Sequence, residues 1–309
     1  MRKVVLLLNM GGPNNESEIS LFLKNMFDDP YILGIKSRFL RKFLSRLITF
    51  FRKKAARENY SHFDFKSPIN EYSRELIAKL NAKNGAKFDY VMNYTPPFAD
   101  EVLTRYQDFD EITLFPLYPH FSKTTVLSSL ESAKNAAKRL NLHAKISEIP
   151  PFFKSEKYNQ IVLNLIKEAL LKFDGEISDL TLIFSAHSLP KKHIENGDIY
   201  EADVNSHVEI LKTLLKQNGL NFKEVILAYQ SRLGPVEWLG PNLGDALANL
   251  ANKKALIFPI AFCVDNSETE FELDIFYRDV AKKENFDFYE VCKCPNSRDD
   301  FVEFIFENS

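Results

Sequence analysis

Residues 181–190, TLIFSAHSLP, begin as an apolar run and then break into small residues, one histidine and a proline. A short apolar run closed in this way reads as a buried strand that ends in a loop. Seven other runs repeat the pattern. In the first half they are VVLLL before NMGGP, FDYVM before NYTPP, ITLF before PLYP, and AKISEI before PP. In the second they are EVILA before YQSRLGP, KALIF before PIAF, and FDFYEV before CKCP. Segments with helical spacing lie between them, among them 73–81, 128–140, 158–171 and 205–217. Strand and helix therefore alternate, as in doubly wound parallel sheets. This predicts two similar α/β halves of four strands each, 1–150 and 151–309, joined near Pro150 and Pro151. The helical pattern over 298–306 can pack back on either half.

Composition agrees with this reading and narrows the function. The 309 residues are 45% hydrophobic and 27% charged, enough for two cores of about 150 residues. A formal net charge of −2 gives no global attraction to nucleic acid, so none is expected as a partner. Apolar stretches such as 255–262 fall far short of the roughly 20 residues a membrane span needs. Only Cys263, Cys292 and Cys294 occur, and the chain does not open on a signal-peptide pattern; a reducing cytoplasm is the expectation.

In open parallel sheets, ligands bind beyond the carboxyl ends of strands. His187 stands at such an end, although most loop histidines are structural or solvated. A second strand-end feature is DNSETEFELD, in which Asp265, Glu268, Glu270, Glu272 and Asp274 place five carboxylates within ten residues. On a helix Asp265, Glu268 and Glu272 share one face. Such clusters are usually solvated helix surface. If the second half is one sheet, however, His187 and Glu268 emerge along the same rim, a histidine–carboxylate pair suited to a borderline divalent metal such as Fe2+. Phosphate cradling has no support: Gly11-Gly12 is not GxGxxG, and GxxxxGK[ST] is absent.

Residues 36–57, KSRFLRKFLSRLITFFRKKAAR, carry no acidic side chain. At 100° per residue, Phe39, Leu40, Phe43, Leu44, Leu47, Phe50 and Phe51 fall on one half of the helix and Arg38, Arg41, Lys42, Arg46, Arg52 and Lys53 on the other. A core-packed helix explains the stripe. The cationic excess also fits a helix lying on a membrane or lining a pocket for an apolar, anionic ligand.

Taken together, LLLNMGGP, FPLYPHFS with TT, FSAHSLP, YQSRLGPVEWLGP and PIAFCVDNSETEFELD resemble the ferrochelatase family in order and spacing, over nearly the whole chain. The resemblance implies two Rossmann-like (flavodoxin-like) halves, the chelatase fold, with a porphyrin cleft between them. It implies insertion of Fe2+ into protoporphyrin IX with release of two protons, the last step of protohaem formation. It also implies that His187, Glu268 and Glu272 are catalytic and that His187 and Glu268 bind the metal, these two facing one another across the macrocycle with Glu272 one turn further on. Asn9, Met10, Arg52, Tyr60 and Ser67 match positions that contact the porphyrin or its propionates. Trp238 matches a loop near the cleft or serves packing.

The chain also departs from its relatives. Asn266 stands where many have histidine, Phe65-Lys66 where a glycine pair precedes the serine, Asn93 where arginine is common, and His120 where glutamine is common. His120 reads as either a metal-access or a structural histidine. Some relatives hold a [2Fe–2S] cluster, which usually needs four thiolates; three cysteines predict no cluster and no other cofactor. Without the relatives' dimerising extension, a monomer is expected. The competing readings are a coproporphyrin III ferrochelatase, a sirohydrochlorin cobalt or nickel chelatase, and a non-catalytic tetrapyrrole-binding protein. Met10, where coproporphyrin users carry tyrosine, favours protoporphyrin.

Overall fold

The computed structural model describes residues 2–232 and 234–309, so Leu233 of YQSRLGP lies outside the described residues. The chain forms two compact units: Met1–Pro151 with Asn296–Ser309, and Phe152–Pro295. Unit 1 contains β1 (Lys3–Asn9), β2 (Lys87–Met92), β3 (Glu111–Pro116) and β4 (Lys145–Glu148), all parallel, in the order β2-β1-β3-β4. Helices α1 (Ile19–Asp28), α2 (Pro30–Leu33), α3 (Arg38–Ser61) and α4 (Pro68–Asn81) fill the β1–β2 connection, and α5 (Ala99–Thr104) and α6 (Ser128–Arg139) follow β2 and β3.

Unit 2 repeats the plan with β5 (Thr181–His187), β6 (Glu224–Gln230), β7 (Lys254–Phe258) and β8 (Phe288–Val291), parallel in the order β6-β5-β7-β8. Its helices are α7 (Glu156–Leu170), α8 (Lys191–Glu195), α9 (Tyr200–Gln217), α10 (Leu243–Ala248) and α11 (Tyr277–Lys283). The final helix, α12 (Asp299–Glu307), belongs to unit 1, where Phe306 meets Phe88 and Lys79 pairs with Asp299 at 2.6 Å.

All eight apolar runs are strands. The inner strands read as continuous hydrophobic runs because helices cover both faces: Val4 to Leu8 and Leu182 to Phe184 are buried throughout. In both units the strand order reverses beside the first strand, which makes the carboxyl ends of β1 and β3, and of β5 and β7, the topological switch points. The Gly11-Gly12 pair serves close packing there. Gly11 has φ +78°, and a Cβ on Gly12 would lie 2.4 Å from Ser67 Cβ. Three of the four helices start earlier than the periodicity predicts, while α6 starts at Ser128 as expected; α4 opens on Pro68, whose fixed φ and missing N–H suit the first helical position. The three cysteines are buried and unpaired. No helix among the described residues is long and apolar enough to cross a membrane.

The helix over the basic segment forms, but its apolar stripe is not core-packed. Phe39, Phe43, Phe50 and Phe51 are 85%, 58%, 77% and 71% exposed. Of its 24 residues only Ser45 and Tyr60 are buried.

Candidate active site

His187 is the last residue of β5, at the unit 2 switch point. The loop after it is stitched to the one after β6. Ser188 N–H donates to Gln230 O at 2.9 Å, Leu239 N–H donates to Leu189 O at 2.9 Å, and Pro190 bridges to Trp238. This backbone pairing fixes where the imidazole leaves the sheet and gives the Trp238 loop a structural role.

Glu268 opens a π-helix, Glu268–Phe276, a form that recurs at functional sites. Its start is set by Asn266, which is buried. Asn266 Oδ1 accepts the Glu268 N–H at 2.8 Å, its Nδ2 donates to Val264 O at 3.1 Å, and its N–H donates to Thr269 Oγ1 at 3.0 Å. The asparagine at the relatives' histidine position is thus taken up in aiming Glu268. Asn266→Ala is expected to cost about 1 kcal/mol, read as a fall in Tm of about 3 °C, and to lower turnover roughly tenfold. Asn266→Asp keeps the acceptor for the Glu268 N–H but loses the donor to Val264 O and buries a charge against it, so it is expected to lower the Tm at least as much; thermal melts with steady-state kinetics check both.

Two expectations are corrected. Glu268 does not face His187 across a macrocycle, because His187 Nδ1 lies 2.7 Å from Glu268 Oε2. A ring between the two groups needs roughly 7 Å, one van der Waals contact on each face. Both therefore serve one face. Asp265 does not share the helical face of the glutamates: the chain turns at Asn266 before the π-helix begins. Its buried carboxylate instead lies 3.3 Å from the Cys294 N–H through either oxygen.

Glu272, one turn along, is joined to Glu268 by Ser231, a residue the sequence reading passed over. Ser231 N–H donates to Glu272 Oε1 at 2.8 Å; its hydroxyl lies 3.2 Å from Glu268 Oε2 and also bonds Glu272 Oε2. A hydroxyl has one proton, so it can donate to only one of two carboxylates. The second contact is attractive only when that carboxyl carries a proton. Ser231 adopts φ +67°, a left-handed conformation unfavourable for a non-glycine residue. The signal that could have found it is positional: it follows β6, the neighbour of β5, on the same rim. Buried Gln230 completes the group, accepting from Ser185 Oγ at 2.7 Å with its Nε2 3.5 Å from Glu268 Oε2.

The electrostatics follow from this geometry. Burial disfavours the charged imidazole, but the charge and hydrogen bond of Glu268, with the charge of Glu272, outweigh it and hold His187 above its ordinary value. Burial likewise disfavours the Glu268 carboxylate, yet His187 and the hydrogen bonds from Ser231 and Gln230 hold it below the usual range. Glu272 goes the other way. Burial and the neighbouring Glu268 charge push it up to about 7, against the Ser231 hydrogen bonds. The side chains of His187 and Glu268 are 37% and 21% exposed, so the pair is open to a reactant. With Nδ1 engaged, Nε2 is the nitrogen left to take a proton or a metal. No three His, Cys, Asp or Glu side chains among the described residues form a ready metal cage.

In unit 1, Asn9 ends β1 at the switch point and Met10 follows it. Asn9 is buried with its Oδ1 accepting the Met10 N–H at 2.8 Å, and Met10 is half-buried. Arg52 is exposed on α3. Tyr60 is buried edge-on against Phe22, and Ser67 is buried with its N–H donating to Pro13 O at 2.7 Å. The turn before Ser67 adopts positive φ at Asp64 and Phe65 despite lacking glycine. Asn93 donates to Ser128 Oγ at 2.8 Å, and His120 is buried inside the unit.

A family model described as Ferrochelatase matches residues 2–308. The ferrochelatase of Campylobacter fetus subsp. fetus is 55% identical over 99% of this chain and 98% of its own length. Those of Campylobacter concisus and Sulfurimonas denitrificans are 54% and 44% identical, over 100% and 98% of this chain and 98% and 97% of their own lengths. Among solved structures, SirB from Bacillus subtilis with Fe3+ superposes with a TM-score of 0.59 at 13% identity, covering 100% of this chain and 94% of that one. The cobalt complex of the sirohydrochlorin chelatase SirB from Bacillus subtilis subspecies spizizenii gives 0.55 at 14%, covering 100% and 93%. These two likenesses show the fold, and the sequence matches show the rest: the chain belongs to the ferrochelatase family of metal-inserting enzymes.

Proposed function

We propose that the enzyme inserts Fe2+ into protoporphyrin IX, releasing the two pyrrole protons. The observation that carries this reading is the His187–Glu268 pair at a switch point, backed by a carboxyl poised near neutrality. Insertion needs a ligand for an incoming cation and a route out for two protons, and this group supplies both. His187 Nε2 and Glu268 are two metal donors; water and the ring nitrogens complete the iron's shell. Before metal arrives, the raised His187 and lowered Glu268 keep the shared proton on the imidazole. With Nδ1–H donated to Glu268, it is the second imidazolium proton, on Nε2, that must leave before Nε2 binds metal or accepts from a pyrrole. Ser231 lies between Glu268 and Glu272, so a proton entering at Glu268 passes through the hydroxyl to Glu272 and then to water. Each of the two protons uses the same path in turn.

On unit 1, Met10 and exposed Arg52 are the proposed contacts with the ring and a propionate. Asn9, Tyr60 and Ser67 offer little surface and shape the wall behind them. The methionine at position 10 supports protoporphyrin over coproporphyrin III. The three buried cysteines do not number enough for an iron–sulfur cluster, and a monomer working in the cytoplasm without one is proposed. The exposed apolar stripe of α3 supports peripheral membrane contact through 36–57.

The test is anaerobic addition of Fe2+ to purified protein with protoporphyrin IX, following loss of free-base fluorescence, with coproporphyrin III and sirohydrochlorin in parallel. Protoporphyrin is expected to give the highest kcat/KM. A higher value for either competitor overturns the substrate assignment.

A further inference from the structure

We propose that the groove between α1 and α3 is a receptor for the phosphate of an acidic phospholipid, a reading that rests on membrane contact through α3 and adds a specific lipid to it. The groove is an open surface concavity of about 600 Å³, lined by Lys24 of α1 and by Arg46, Lys53, Lys54 and Arg57 of α3, with Phe50 on its wall. Arg57 is engaged with Glu16 at 2.5 Å. The other four cations have no acidic partner among the described residues. Thr49 Oγ1, which also lines the groove, is without a hydrogen-bond partner there.

Four uncompensated positive charges around one concavity repel each other, and an anion removes that repulsion. The groove is held open by the way the helices dock. Ser45, buried and small, lets α3 approach α1 and donates its hydroxyl to Lys24 O at 2.6 Å, while Arg41 Nε donates to Asp28 O at 2.5 Å. The cations are therefore set on a fixed seam.

What distinguishes a lipid from a free anion is the surface beside the seam. Phe43 and Phe50 are both largely exposed, and with Phe39 they continue one face of α3. Exposed phenylalanines bordering a cationic groove match the boundary of a bilayer, where acyl chains lie next to phosphate. Charge complementarity selects an acidic lipid over a zwitterionic one.

Lys24 makes the idea testable, because it lies on α1, outside the amphipathic segment and the catalytic group. Flotation with vesicles of phosphatidylcholine alone or mixed with phosphatidylglycerol would compare wild type, Lys24→Gln, Lys36→Gln and Phe43→Glu. Wild type is expected to prefer the mixed vesicles. Lys24→Gln is expected to lose about fivefold in affinity for them, with iron insertion unchanged as evidence of folding. Lys36→Gln, removing the same charge outside the groove, is expected to lose less. If Phe43→Glu abolishes flotation while Lys24→Gln binds like wild type or like Lys36→Gln, the groove is overturned and membrane contact stands. If wild type floats with neither vesicle, both fall.

Discussion

Replacing His187 by alanine is expected to lower kcat for iron insertion about a thousandfold while porphyrin affinity changes by less than about threefold. The reasoning starts from the hydrogen bond at 2.7 Å to Glu268, which leaves Nε2 as the one basic nitrogen of this pair facing a reactant. Without it, no imidazole adjoins Glu268 to take up and pass on a pyrrole proton, and the metal loses one of two protein donors. The carboxylate also loses its main stabilising partner, so burial pushes Glu268 back up and it becomes a poorer metal ligand. Free imidazole at high concentration is expected to restore part of the rate, since the vacated space adjoins an intact carboxylate. Quenching of porphyrin fluorescence measures binding separately from turnover. A variant within tenfold of wild type would mean that another group carries the chemistry.

Stability should change with pH in a related way. His187 is held above its ordinary value, so its contribution is complete below about pH 6.5 and fades as pH rises through the folded-state value. Glu268, held low, contributes above its ordinary 4.5 and loses that contribution as pH falls through its own folded-state value. The pair is therefore strongest between those limits, where both groups are charged.

How much of this was legible in the sequence depends on what each feature encodes. The eight strands were, because a strand covered on both faces must be apolar along its length and must stop where the chain turns. The rim position of His187 follows from the strand that ends on it. The π-helix was not legible, since Glu268 and Glu272 are four apart in either helical form and only the backbone distinguishes them. Nor was Asp265's departure from that face, which is set by the Asn266 turn. Ser231 carries no charge or periodicity, and its left-handed backbone is a product of tertiary packing. The α3 stripe shows a different limit. Amphipathic spacing reads identically whether the apolar face is covered or bare, and here it is bare.

Glu272→Gln is expected to do two opposite things. Turnover at pH 7 should fall about a hundredfold, because glutamine accepts the Ser231 N–H but cannot take a proton from the relay. In wild type, a base at about 7 makes kcat rise with pH through neutrality as the carboxyl ionises; in the variant that limb should flatten. Stability should move the other way. A carboxyl whose folded value is raised from 4.5 to about 7 favours the folded state only when protonated, so wild type loses stability as pH climbs through that window. The free energy involved is roughly 3 kcal/mol, reduced to about 2 by the solvent exposure that remains. Glutamine removes the charge and with it the repulsion from Glu268. The variant should therefore match wild type near pH 5 and exceed it in Tm near pH 8. Thermal melts at the two pH values measure this directly. A variant less stable than wild type at pH 8 would show that Glu272 is ionised there at no cost and is no reservoir for a departing proton.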